Sequence, residues 1–205
     1  MIALFVFMMV MGLLFSFYNY AYNTYSYDFG RTMVNRDFRR VVNEMTKSVT
    51  YANAVFVYSE FNDRTIYTDS NGNQTGNFVL CVTTKLQSDG TNHIVKLEGY
   101  YRGTGGSSAN TGAQHPIRSF SMTLDSSATD PLTLIPNAST INTHPIKCED
   151  CVGLHPGAKV FRNFLNNVNS SGVLFYAQIQ YQGRAFGRMN RGAANTLCFT
   201  IVRRS

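Results

Sequence analysis

The residues most able to do chemistry lie in one short stretch, His144-x3-Cys148-x2-Cys151-x3-His155. Two imidazoles and two thiolates are a standard tetrahedral zinc set. Both histidines precede a proline, however, and the His115-Pro116 pair repeats that context with no cysteine nearby. Cys148-x2-Cys151 alone could instead close a small disulfide loop. It is not a haem-attachment site, because Val152 stands where a histidine would be needed. With Cys81 and Cys198 the cysteine count is four, and an even count in an exported chain favours disulfides over metal. Disulfides or plain thiols at Cys148, Cys151, Cys81 and Cys198 are therefore the expectation, with no metal and no cofactor.

A second group is Arg184, Arg188 and Arg191, interleaved with Phe186 and three glycines. Arginine and an aromatic ring on a loop could hold phosphate and stack a base. A basic surface loop or a subunit contact explains the same residues more simply, so nucleic acid is the lesser expectation. Catalysis finds little support. The stretch 99–112 is rich in glycine but lacks the Lys-Ser/Thr ending of a phosphate loop, no Gly-x-Ser-x-Gly elbow occurs, and the acidic residues are scattered. The chain is not expected to be an enzyme. Three Asn-x-Ser/Thr triplets begin at Asn73, Asn137 and Asn169, a frequent coincidence in an Asn-rich sequence.

The elements that must carry these residues differ sharply along the chain. Residues 1–27 contain no charged side chain, enough for the roughly 20 residues that cross a bilayer. From Val34 the apolar positions narrow to Val34, Phe38, Val41, Val42, Met45, Val49 and Ala52, the steps of three and four that mark one helix face. Residues 1–53 are thus expected to form one helix, with local bending at Gly12. No positively charged start and no small-residue cleavage site accompany the apolar segment, so it is expected to be retained. The dense aromatic run from Phe15 to Phe29 suits a membrane interface or packing between helices. Arg31, Arg36, Arg39, Arg40, Glu44 and Lys47 fall mostly off the apolar stripe, as on a solvated face.

Residues 54–205 read as a β-rich head. Strands are expected at 54–60 and 64–68 as a hairpin about Phe61-Asn62-Asp63, at 78–86, 93–102, 117–124, 173–181 and 197–202, with a turn at 69–73 and a loop at 103–114. Four prolines keep 131–156 irregular, and residues 158–168 suggest a short helix. The fold class is α+β: a long N-terminal helix, hydrophobic and then amphipathic, packed on a mostly antiparallel sheet. A net charge of +6 with only 15% charged residues implies a surface of uncharged polar groups, or one covered by neighbours.

Met1-Ile2-Ala3-Leu4-Phe5-Val6-Phe7, leading into a helix with Arg36-Asp37-Phe38-Arg39-Arg40 and then Tyr51-Ala52-Asn53-Ala54-Val55, resembles type IV pilins and pseudopilins. The resemblance covers about the first 60 residues. It implies a subunit that waits in the inner membrane and then assembles with copies of itself into an extracellular filament, helped by pilus or secretion machinery. Leu4, Phe5, Phe7, Val10, Leu13, Leu14 and Phe17 would be its assembly surface. The family's basic leader, cleavage site and early glutamate have no counterpart here, so the sequence is expected to begin a few residues inside the family's helix. The alternatives are a minor pseudopilin of a type II secretion-like machine, or a membrane-anchored domain binding DNA or another ligand.

Overall fold

A computed structural model of the chain describes residues 2–88, 90–103, 115–128, 130–140, 143–148, 150–165, 171–180 and 196–202. Its first element is a single helix, α1 (Ile2–Tyr51), 50 residues long and so about 75 Å at 1.5 Å per residue. No proline interrupts it. The bending or unwinding expected at Gly12 does not interrupt the helix, which runs unbroken through it. One glycine costs only about 1 kcal/mol relative to alanine, too little to break a helix propagating from both sides. The helix ends where Asn53 turns to the sheet. Its backbone N–H donates to Val82 O at 2.8 Å, and its side-chain oxygen accepts from Thr84 N at 2.7 Å.

The head is built from two antiparallel sheets. The first takes β1 (Ala54–Tyr58), β4 (Phe78–Leu86), β5 (Asn92–Arg102), β6 (Ile117–Ser126) and β7 (Ile146–Cys148) in the order β1-β4-β5-β6-β7. The second runs β11-β10-β9-β3-β2, with β2 (Tyr67–Thr68), β3 (Gln74–Gly76), β9 (Phe161–Leu165), β10 (Ser171–Gln180) and β11 (Thr196–Val202). Strand β8 (Asp150–Gly153) also pairs with β10. The α+β arrangement is therefore as the sequence suggests, with α1 packed against β7, β10, β11 and β4.

Burial explains the layers. Val34, Val41, Met45, Val49 and Ala52 of the helix stripe enter one core with Val79, Cys81, Tyr100, Ile117, Phe175 and Ile179 from the two sheets. Phe38 is only partly buried there, meeting Phe199 edge-on at 5.8 Å. The stripe also carries two polar residues, Asp37 and Ser48, and the Ser48 hydroxyl hydrogen-bonds the Tyr100 hydroxyl at 2.8 Å. The opposite face of the first sheet forms a second core: Phe78, Leu80, Val82, Leu97, Tyr101 and Phe120 lie under Phe61 and Ile135. Phe78 to Val82 thus point alternately into two dry cores, which is why β4 reads as a continuous apolar run.

Three further expectations fail. Residues 131–156 are not irregular throughout, since β7 and β8 find sheet partners between Pro145 and Pro156. The pair of strands about Phe61 is not a hairpin, because β1 pairs with β4 while β2 pairs with β3. The chain does turn there, with Ser59 N donating to Thr65 O at 2.8 Å, but burial of Phe61 pulls the turn over the first sheet. Residues 161–165 form strand β9 instead of a helix. Val160, Phe161, Phe164 and Leu165 have helical spacing, yet flanking β10 and β3 supply the backbone partners that make a strand.

Candidate assembly helix and head surfaces

The helix and head separate cleanly by exposure. From Ile2 to Ser26 every helix residue is exposed; Tyr27 is the first to touch the core, and Gly30 is the first buried. Leu4, Phe5, Phe7, Val10, Leu13, Leu14 and Phe17 are all bare, Phe17 at 71%. This stretch is long and apolar enough to cross a membrane. Withdrawing each large apolar side chain from water is worth about 1.5–3 kcal/mol, so a bare run of this length demands a cover of lipid or protein. Tyr18 stacks on Tyr22 and Tyr25 on Phe29, at 6.3 and 6.2 Å between ring centroids. These are the i,i+4 contacts that a helix surface offers.

Beyond the aromatic belt the exposed face turns cationic, through Arg31, Arg36, Arg39, Arg40 and Lys47. Arg36 reaches back to Asp37 at 3.2 Å, and Arg40 meets Glu44 at 3.4 Å. Glu44 also binds Lys147 of β7 at 2.7 Å, tying helix to head. Beside this link a hollow of about 410 Å³ opens, lined by Lys47, Ser48, Tyr51, Thr83, Lys96 and Glu98 among others.

The sequence-level ligand set does not assemble. Among the described residues no group of three or more His, Cys, Asp or Glu is placed to hold a metal. His144 is half-buried at the edge of the second core, its Nδ1 at 2.7 Å from the Tyr101 hydroxyl and its ring against Phe120 at 5.5 Å. Cys148 and Cys151 are wholly buried in the first core. His155 lies edge-on to Tyr176 at 5.5 Å, with Nε2 3.4 Å from Leu174 O. The sequence is compact here, but β7 joins one sheet and β8 the other. While both cysteines enter the first core, His144 lies against Phe61, Tyr101 and Phe120 and His155 against Tyr176. Burial, and then Arg118, holds the His144 pKa below the usual imidazole range; burial is also the main cause for His155.

No disulfide joins any of the four cysteines. Cys81 and Cys198 do not lie on neighbouring strands, since β4 and β11 belong to different sheets. Burial, reinforced by Glu98, pushes the Cys81 thiol far up, so it behaves as a packed apolar group. Cys198 is exposed on β11. Arg184, Arg188 and Arg191 lie outside the described residues.

One polar cluster escaped the sequence reading altogether. Lys159 Nζ donates to Glu60 Oε1 at 2.8 Å, and Asn77 Nδ2 donates to the same oxygen at 2.8 Å. Asn77 Oδ1 accepts from Val160 N at 3.1 Å. The three side chains come from segments too far apart for any spacing pattern to join them.

No family model, curated protein or solved structure matches this chain.

Proposed function

We propose that the protein is a structural subunit of a type IV pilus-like filament. The observation that carries this reading is α1 itself, one unbroken helix that is bare and apolar for its first half and locked into a β-rich head for its second. The apolar half would rest in the inner membrane before assembly. In the filament it would pack against the same helix of neighbouring copies through Leu4, Phe5, Phe7, Val10, Leu13, Leu14 and Phe17, moving that surface from lipid to protein. The head would form the outer surface of an extracellular fibre. Partners would be copies of the chain and the pilus or secretion machinery that lifts it from the membrane. Nucleic acid is the lesser alternative, and the residues that suggest it, Arg184, Arg188 and Arg191, lie outside the described residues. The chain carries no proposed turnover chemistry, and we read it as a non-enzyme.

The test is imaging of filaments from the native source, with mass spectrometry of their main component. Finding this chain as the repeating unit, its N-terminal helices bundled at the centre, supports the reading. Its presence at one or two copies per filament favours a minor pseudopilin, and its absence from any filament favours a membrane-anchored binding domain.

A further inference from the structure

Where β1, the β3–β4 junction and the turn before β9 meet, an amine, a carboxamide and a carboxylate converge. Lys159 Nζ and Asn77 Nδ2 both donate to Glu60 Oε1, each at 2.8 Å, so one oxygen touches both nitrogens. The amide oxygen of Asn77 accepts from the backbone N–H of Val160, the residue after the lysine, at 3.1 Å. Glu60 Oε2 is buried and has no hydrogen-bond partner. Most buried carboxylate oxygens have a protein or water partner. Here one oxygen is left over beside an amide whose carbonyl is already polarised by an N–H donor.

The surroundings suit a reaction that water would spoil. Asn77 is 5% exposed, and the lysine and glutamate side chains are mostly covered. Buried Tyr58, Phe61, Phe78, Val160 and Phe161 adjoin the cluster along the chain. Lys159 is presented by a strained turn: Gly157 and Ala158 both have positive φ, 74° and 56°, and alanine rarely adopts that conformation. The turn is clamped from outside, because a Cβ on Gly153 would lie 2.3 Å from Ala158 O. The Nζ also meets Ser59 O and Oγ at 3.3 Å. Such fixed placement is what converts a sluggish amine–amide exchange into an intramolecular one.

We infer that Lys159 and Asn77 become joined by an isopeptide bond, with Glu60 as the proton carrier and the Val160 N–H as the oxyanion donor. Glu60 takes a proton from the lysine ammonium, freeing the Nζ lone pair. Nζ bonds to Asn77 Cγ, and the carbonyl electrons move onto Oδ1, where the Val160 N–H holds the developing charge. Glu60 then gives its proton to Nδ2 and takes a second one from Nζ. The carbonyl re-forms, the Cγ–Nδ2 bond breaks, and ammonia leaves, accepting the proton from Glu60 as ammonium. The exchange is a transamidation, with nothing oxidised or reduced. It would stitch the start of β4 in the first sheet to the turn that leads into β9 in the second. The inference does not depend on the filament reading.

The test is mass spectrometry of the intact full chain purified in detergent, followed by peptide sequencing. The expected mass is about 17 Da below that of the sequence, one ammonia, with a branched peptide linking Lys159 to Asn77. Glu60→Gln and Lys159→Arg chains should keep the ammonia and melt at a lower temperature than the parent. A parent chain at full mass overturns the inference, as does a loss of the same size mapped to Asn71-Gly72, where a succinimide would form. If either variant fails to fold, the parent's peptide map still decides.

Discussion

His144 and His155 make the head sensitive to acid. Each is held below the ordinary imidazole pKa by burial in the folded state, so the unfolded chain takes up protons first as pH falls. Their contribution is constant above about pH 6.5, the unperturbed value, and declines as pH drops from there towards the lower folded value. Melting temperature should therefore fall between pH 7 and pH 5, and His144→Gln should flatten part of that fall; an unaltered profile would argue against His144 as a source. Gly76 is a stricter position. A Cβ there would lie 1.8 Å from Tyr58 O, where β3 passes the end of β1. Gly76→Ala should destabilise the head by about 1–3 kcal/mol in chemical denaturation, as overpacking does. None of these roles announces itself in the sequence. His144 looked like a ligand because its neighbours along the chain are cysteines, while its neighbours in space are Tyr101, Phe120 and Phe61.

The helix was the most legible element, because a charge-free stretch passing into a three-and-four stripe has few other interpretations. Strand β4 emerged with its bounds intact for a similar reason, a β-branched run fenced by turn residues. Residues 161–165 were misread because short apolar runs carry both periods, and only the strands on either side decide between them. Which strands pair was not legible either: β1 skips β2 and β3 to reach β4. Two predictions belong to α1. A Cβ at Gly12 meets nothing within 4 Å, so Gly12→Ala should raise helicity in detergent micelles, by circular dichroism, in keeping with a gain of up to about 1 kcal/mol. Leu13→Asp places a charge in the bare apolar stretch, at about 2.5–3.5 kcal/mol if that stretch lies mid-membrane. It should sharply reduce membrane insertion or filament yield while leaving the melting of the head unchanged.

As a whole the molecule is a head that can close its own cores and a helix that cannot close its own surface. Removing residues 1–26 takes away no buried residue, since burial on α1 starts at Gly30. The shortened chain should be monomeric in water by light scattering and keep the melting temperature of the parent in detergent; aggregation or a large drop would mean that the apolar half supports the fold. Of the aromatic run only Tyr27 and Phe29 would remain, and the cationic band from Arg31 would lie close to the new N-terminal end.

The contact of α1 with both sheets has a mechanical consequence. The helix touches β4 and β7 in one sheet and β10 and β11 in the other. A pull along its axis is therefore divided between two sets of strands and reaches neither alone. Strand β10, hydrogen-bonded to β8 and β9 along one edge and β11 along the other, passes its share sideways across the second sheet. To draw the helix out, tension would have to shear both attachments at once, so the head should yield in a single step at high force.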